Sequence, residues 1–285
     1  MPSLACDTAQ YQDGDISGVK GEAARRIANG ETSMFVNRRD FVRLAAGGVA
    51  AATADRGLAA DGNTNIRAVA FDGFPIIDPR PVFAKVEEIF PGSGLKLGDA
   101  WRTRQFEYTW LRTLGGHYAD FWQVTEESLV FAAKTLAIDL SADQRDQLMQ
   151  AWLTLKAWPD VAPALQALKA AGIRMAFLSN LTDAMMDAAV KNSGLEGFFE
   201  PHLSTDKVRA FKPDPRAYQM GVDAFGLKKE EIAFAAFAGW DAAGAKWFGY
   251  PTFWVNRLNA PVEELSVTPD GMGPGLGDLV KFVLA

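Results

Sequence analysis

Reactive side chains are scarce in this 285-residue sequence, which holds one cysteine, Cys6, and two histidines, His117 and His202. That set is too small for an intrachain disulfide, a cysteine-based zinc site, an iron–sulfur cluster or a histidine-rich metal centre. It also makes a Ser-His-Asp triad a poor fit. Chemistry must then rest on carboxylates, lysine, arginine and hydroxyl groups. Four places stand out by position. Asp72 ends the apolar run Ile66–Phe71, Ser179-Asn180 ends Ile173–Leu178, and Asp241 closes Gly239-Trp240-Asp241 just beyond Ile232–Phe237. Lys212 lies in the loop Phe211-Lys212-Pro213-Asp214, after a shorter run near His202–Ser204.

Those runs are short and mostly apolar, as buried strands are, and helical spacing fills the gaps between them. Helices are expected over Val161–Ala171, Thr182–Asn192, Asp214–Phe225 and Asp241–Phe248, with Gly172 and Gly194 as stops. A last strand is expected over Thr252–Asn256. Alternation of this kind predicts an α/β fold with a Rossmann-like parallel sheet covered on both faces. Reactive groups in such sheets collect beyond the carboxyl ends of the strands, so the four candidates should meet in one crevice. Between Val82 and Trp158 only helical spacing is found, over Val82–Phe90, Leu97–Leu114, Asp120–Ala137 and Ser141–Lys156, with Ser141-Ala-Asp-Gln144 as a capping box. The expected organisation is a core domain of residues 61–80 and 160–285, interrupted by an all-helical cap of residues 81–159 beside the crevice.

Residues 1–60 read as an N-terminal extension outside the fold. Arg38-Arg39-Asp40-Phe41-Val42 precedes the Ala- and Gly-rich stretch Leu44–Ala54 and then small residues, the layout of an export signal. The paired arginines resemble a twin-arginine signal, which implies a periplasmic mature protein, and Met34 is a natural start for it. The apolar stretch is about half the roughly 20 residues a membrane-spanning helix needs, so no membrane anchor is expected. A net charge of −6 without a basic run argues against nucleic acid as a partner.

The motifs Phe71-Asp72, Leu178-Ser179-Asn180, Phe211-Lys212-Pro213-Asp214 and Gly239-Trp240-Asp241 resemble the haloacid dehalogenase superfamily. Trp101-Arg102-Thr-Arg-Gln-Phe-Glu-Tyr108-Thr-Trp110-Leu-Arg112 and Gly244–Arg257 narrow the resemblance to its type II (S)-2-haloacid dehalogenases, over residues 66–285. The resemblance implies hydrolytic dehalogenation of short (S)-2-haloalkanoic acids to (R)-2-hydroxy acids through an aspartyl ester, with no cofactor and no metal. It makes Asp72 the nucleophile, Lys212 its counter-charge and Asp241 the group that handles the hydrolytic water. Arg102, Asn180 and Phe121 would cradle the halide, Ser179 and the backbone after it the substrate carboxylate, and Tyr218 and Trp240 would line the pocket. A homodimer through the cap helices is the family default. The sequence departs from the family at Phe74-Pro75-Ile76-Ile77, where Tyr-Gly-Thr-Leu is usual, and at Ala236 and Ala238, where Ser and Asn ordinarily precede Trp-Asp. Two alternatives stay open: a phosphatase of the same superfamily, and a catalytically weak periplasmic binder of small carboxylates. The phosphatase reading is weakened by Phe74, which stands where a phosphatase keeps a second, proton-donating aspartate.

Overall fold

The computed structural model describes residues 66–285. The expected export signal around Arg38-Arg39 lies outside the described residues.

Six strands form one parallel sheet: β1 (Ala68–Phe71), β2 (Arg174–Ser179), β3 (Leu203–Ser204), β4 (Ile232–Ala236), β5 (Thr252–Val255) and β6 (Gly271–Gly273), in the spatial order β3-β2-β1-β4-β5-β6. The chain fills one side of β1 and then crosses to the other, so the sheet reverses direction at β1, the place where a ligand crevice opens in such folds. Register sharpens the point. Phe71 pairs with Phe177 and with Ala235, so the strands carrying Asp72, Ser179 and the segment leading to Asp241 end at nearly one level.

Burial follows from the alternation of side chains across the sheet. Val69, Phe71, Phe177, Ala233, Ala235 and Phe253 share one apolar cluster, which α6 (Val161–Ala170) and α10 (Leu276–Leu284) cover. Ala68, Ala70, Leu178, Phe234, Ala236 and Trp254 share the other, under α8 (Pro215–Phe225) and α9 (Gly239–Phe248). The helix α7 (Asp183–Ser193) starts at a Thr182 cap, whose hydroxyl accepts the Met185 N–H at 3.3 Å, and ends at left-handed Gly194.

The insertion is helical: α2 (Arg80–Ile89), α3 (Gly94–Leu114), α4 (Phe121–Thr135) and α5 (Ala142–Ala151), followed by a 3-10 turn over Trp152–Thr154. The expected capping box closes on α5, with Ser141 and Gln144 exchanging bonds of 3.2 and 3.0 Å. The two chain crossings between cap and core are tied to each other. Asp78 N–H donates to Lys156 O at 2.9 Å and Trp158 N–H to Ile76 O at 3.0 Å, around an antiparallel bridge between Ile77 and Ala157.

Two expectations need correction, and two elements have no counterpart among them. The helix placed at Asp241–Phe248 starts two residues earlier, at Gly239 with Ala238 as its cap, so Asp241 sits inside the first turn. The helix expected over Ser141–Lys156 breaks at Trp152, where the chain tightens and turns back toward the core. Finally, β6 and α10 were not anticipated: Gly271-Met272-Gly273 is an edge strand too short and glycine-rich to show a period.

Candidate active site

Asp72 leaves β1 as the cap of α1, a single turn over Gly73–Ile76, and its Oδ2 accepts the Phe74 N–H at 3.2 Å. Its Oδ1 faces the core and accepts Lys212 Nζ at 2.8 Å and, more weakly, Ser179 Oγ at 3.4 Å. Lys212 is 1% exposed. Its peptide N–H donates to Asn180 Oδ1 at 3.0 Å, which ties its loop to the end of β2. The same ammonium group donates to Asp241 Oδ2 at 2.6 Å, while Tyr218 OH donates to Asp241 Oδ1 at 2.7 Å. One buried cation therefore bridges two carboxylates, and a fully buried tyrosine supports the second from behind.

Proton affinities follow from that packing. Burial pushes the Asp241 carboxyl up to about 6; the Lys212 charge opposes this and the Asp72 charge adds to it. Burial works against the Lys212 ammonium, but Asp241 and Asp72 together outweigh it and hold the group above its ordinary value. Burial first, and then the Asp241 charge, push the Tyr218 hydroxyl well above the ordinary range, so it stays a neutral donor. Among the described residues no three His, Cys, Asp or Glu side chains gather to hold a metal ion. The space between Asp72 and Asp241 is taken by the ammonium of Lys212.

A cavity of about 140 Å³ opens over this network. Of the residues singled out from sequence, Asp72, Arg102, Phe121, Ser179, Asn180, Trp240 and Asp241 line it. Lys212 lies beneath its floor. Tyr218, expected at the wall, is a correction: it contacts Asp241 from the core side and does not reach the cavity. Arg102 projects from α3 and makes no ion pair among the described residues. Trp240 packs edge-on against Phe106 and Trp110 of the cap, with ring centroids 5.3 and 5.6 Å away. Of the departures from the family pattern, Ile76 and Ala236 are buried away from the cavity, whereas Phe74 and Ala238 both line it.

Much of the wall was not foreseen. Phe74, Phe83, Trp152, Trp158 and Phe237 supply aromatic surface, and Arg80 and Gln105 polar groups. Gln105 Nε2 donates to Thr125 Oγ1 at 2.7 Å, and that hydroxyl donates in turn to Phe121 O at 2.6 Å. The only sequence signal was the density of aromatic residues at helical spacing, which is equally the signature of a core.

Residues 22–249 match the family described as haloacid dehalogenase-like hydrolase. An (S)-2-haloacid dehalogenase of Pseudomonas sp. (strain YL) is 40% identical over 206 residues, covering 72% of this chain and 89% of that protein. A crystal structure of an L-2-haloacid dehalogenase superposes with a TM-score of 0.76 at 41% identity, covering 78% of this chain and 100% of the other. The L-2-haloacid dehalogenase of Xanthobacter autotrophicus, solved with chloropropionic acid covalently bound, superposes with a TM-score of 0.70 at 34% identity, covering 76% and 98%.

Proposed function

The chain belongs to the haloacid dehalogenase-like hydrolases, in the group of (S)-2-haloacid dehalogenases, and from that premise we propose that it hydrolyses short (S)-2-haloalkanoic acids to (R)-2-hydroxy acids through an ester on Asp72. The observation that carries the reading is a carboxylate held by a buried ammonium at 2.8 Å, with its other oxygen bound only by a 3.2 Å backbone contact, at the floor of a small cavity. Asp72 Oδ2 attacks C2 from the side opposite the halogen. The C–O bond forms as the carbon–halogen bond breaks, the halide leaves with the bonding pair, and the centre inverts. Arg102 and Asn180 face the departing anion beside the Phe121 ring, and Ser179 with the backbone after it holds the substrate carboxylate.

Water then attacks the ester carbonyl of Asp72. Asp241 accepts its proton, and the acyl C–O bond of the tetrahedral adduct breaks. The hydroxy acid departs carrying the oxygen that Asp72 supplied, its alkoxide taking the proton of the new carboxyl so that Asp72 is left ionised. Size agrees. A cavity of roughly 150 Å³ admits benzene, with six heavy atoms, and 2-chloropropionate has as many. A phosphoryl leaving group would need a proton, and Phe74, two residues after Asp72, has none to give; a halide needs none.

The proposal extends to setting. The mature enzyme works in the periplasm, delivered through Arg38-Arg39, as a homodimer paired by its cap helices. Replacing both arginines by lysine should strand the protein in the cytoplasm, and light scattering should give twice the chain mass.

Chloride titration during incubation with (S)-2-chloropropionate tests the chemistry, run in ¹⁸O-labelled water with mass analysis of the Asp72 peptide. Chloride release with label entering Asp72 is expected. Product without label in Asp72 would sink the ester route. Ligand-induced melting shifts with no chloride would favour a binder.

A further inference from the structure

We infer that Arg257 is a positioning residue for Asp72: with Trp158 it fixes the carbonyl groups of the turn that follows the nucleophile. The reaction it serves is the one proposed above, and the inference rests on that reading. A four-residue helix leaves most of its carbonyl groups without a partner inside the helix. In α1, Gly73 O accepts the Ile77 N–H at 2.9 Å. The next three carbonyls go to two residues. Phe74 O accepts Trp158 Nε1 at 3.0 Å, Pro75 O accepts Arg257 Nη2 at 2.8 Å and Nε at 3.2 Å, and Ile76 O accepts the Trp158 N–H at 3.0 Å. Since Phe74 N–H holds Asp72 Oδ2, any shift of the Pro75 carbonyl passes through one residue to the oxygen that attacks.

Arg257 is built in. Its side chain is 7% exposed, and Nη1 and Nη2 each donate to Asp160 Oδ2 at 3.2 Å. That same oxygen accepts the Leu276 N–H at 2.8 Å, which anchors the clamp to α10. The guanidinium also lies 4.7 Å from the Trp158 ring, which carries Arg80 at 4.4 Å as well. A charged fork gripping one carbonyl twice is a stronger and more directional restraint than a neutral donor gives, and lysine cannot reproduce its geometry.

The test compares wild type with Arg257→Gln and Arg257→Lys in chloride release from (S)-2-chloropropionate, beside hydrogen exchange of the peptide spanning residues 72–77. Misplacing a reacting group by an ångström costs on the order of 10²-fold, so kcat should fall about 10- to 100-fold with KM within about threefold. The Phe74 and Ile77 amides should exchange about tenfold faster. Added guanidinium should restore part of kcat to Arg257→Ala. A lower Tm with wild-type kcat overturns the inference, as does an effect confined to KM or a kcat loss with exchange unchanged. Should Arg257→Gln fail to fold, Arg257→Lys decides by the same criteria. If the wild type releases no chloride, the dehalogenase reading fails on its own, and exchange at the turn still decides whether Arg257 holds it.

Discussion

On the core side of the cavity, two carboxylates and an ammonium group are linked by contacts of 2.6 and 2.8 Å and almost wholly buried, whereas the cap side presents mostly rings. Phe83, Trp101 and Trp152 pack mutually edge to face, at centroid distances of 5.9 to 6.4 Å. The two sides divide the work. Strand ends hold the carboxylates, whose mutual geometry is fixed by sheet register; the cap supplies apolar surface together with Arg80, Arg102 and Gln105. Closing rings over buried charges displaces water and strengthens each electrostatic contact below. Replacing a core-side charge should therefore cost stability as well as activity, where replacing the exposed Arg102 of the cap costs activity alone.

The hardest test of that division is Asp72→Asn. An amide cannot form the ester, and chloride release should drop by at least about 10³-fold with the fold intact, since nucleophile removal is among the costliest of active-site changes. A smaller loss would move the chemistry off the core side. Next comes Lys212→Met. Removing one partner from a buried ionic set leaves the remaining charge uncompensated, at a cost of about 3–5 kcal/mol. Urea unfolding should show that loss beside a fall of about 10²-fold in kcat. On the cap side, Arg102→Gln should lower kcat/KM by about 10- to 100-fold through loss of a charge-assisted contact, with stability unchanged within about 0.5 kcal/mol, because the residue is exposed. Destabilisation by Arg102→Gln as large as that of Lys212→Met would erase the contrast.

The same division decides what could be read from the sequence. Asp72, Ser179-Asn180, Lys212 and Asp241 were legible because parallel strands deliver their next residues to one edge, so position after an apolar run carries spatial meaning. Tyr218 was assigned to the pocket wall because its identity was visible and its direction was not: on α8 it points at Asp241 from below. The cap wall was illegible for another reason. Helical spacing says which residues share a face, yet Phe83, Trp152 and Trp158 meet only through packing among separate elements, and nothing local distinguishes a ring that lines a cavity from one that fills a core. The edge strand β6 escaped because three residues with two glycines hold no alternation.

The smallest expected effect probes the deepest part of the core side. Asp241 with its carboxyl near 6 must be ionised to accept a proton from water, so kcat should lose about tenfold per pH unit below 6 and level off above it. Tyr218 donates to the ionised form, and so lowers that value against the burial that raises it. In Tyr218→Phe this support is gone. A hydrogen bond to a charged group contributes about 1.5–3 kcal/mol, and 1.36 kcal/mol corresponds to one pH unit, so the acid limb should move upward by about one to two units. At pH 8 the same variant should lose no more than about two- to threefold, because about 40% or more of the carboxylate is still ionised there. An acid limb that stays at 6 in Tyr218→Phe would mean that another group sets it, and the hydrolytic base would then have to be sought outside the Asp72–Lys212–Asp241 network.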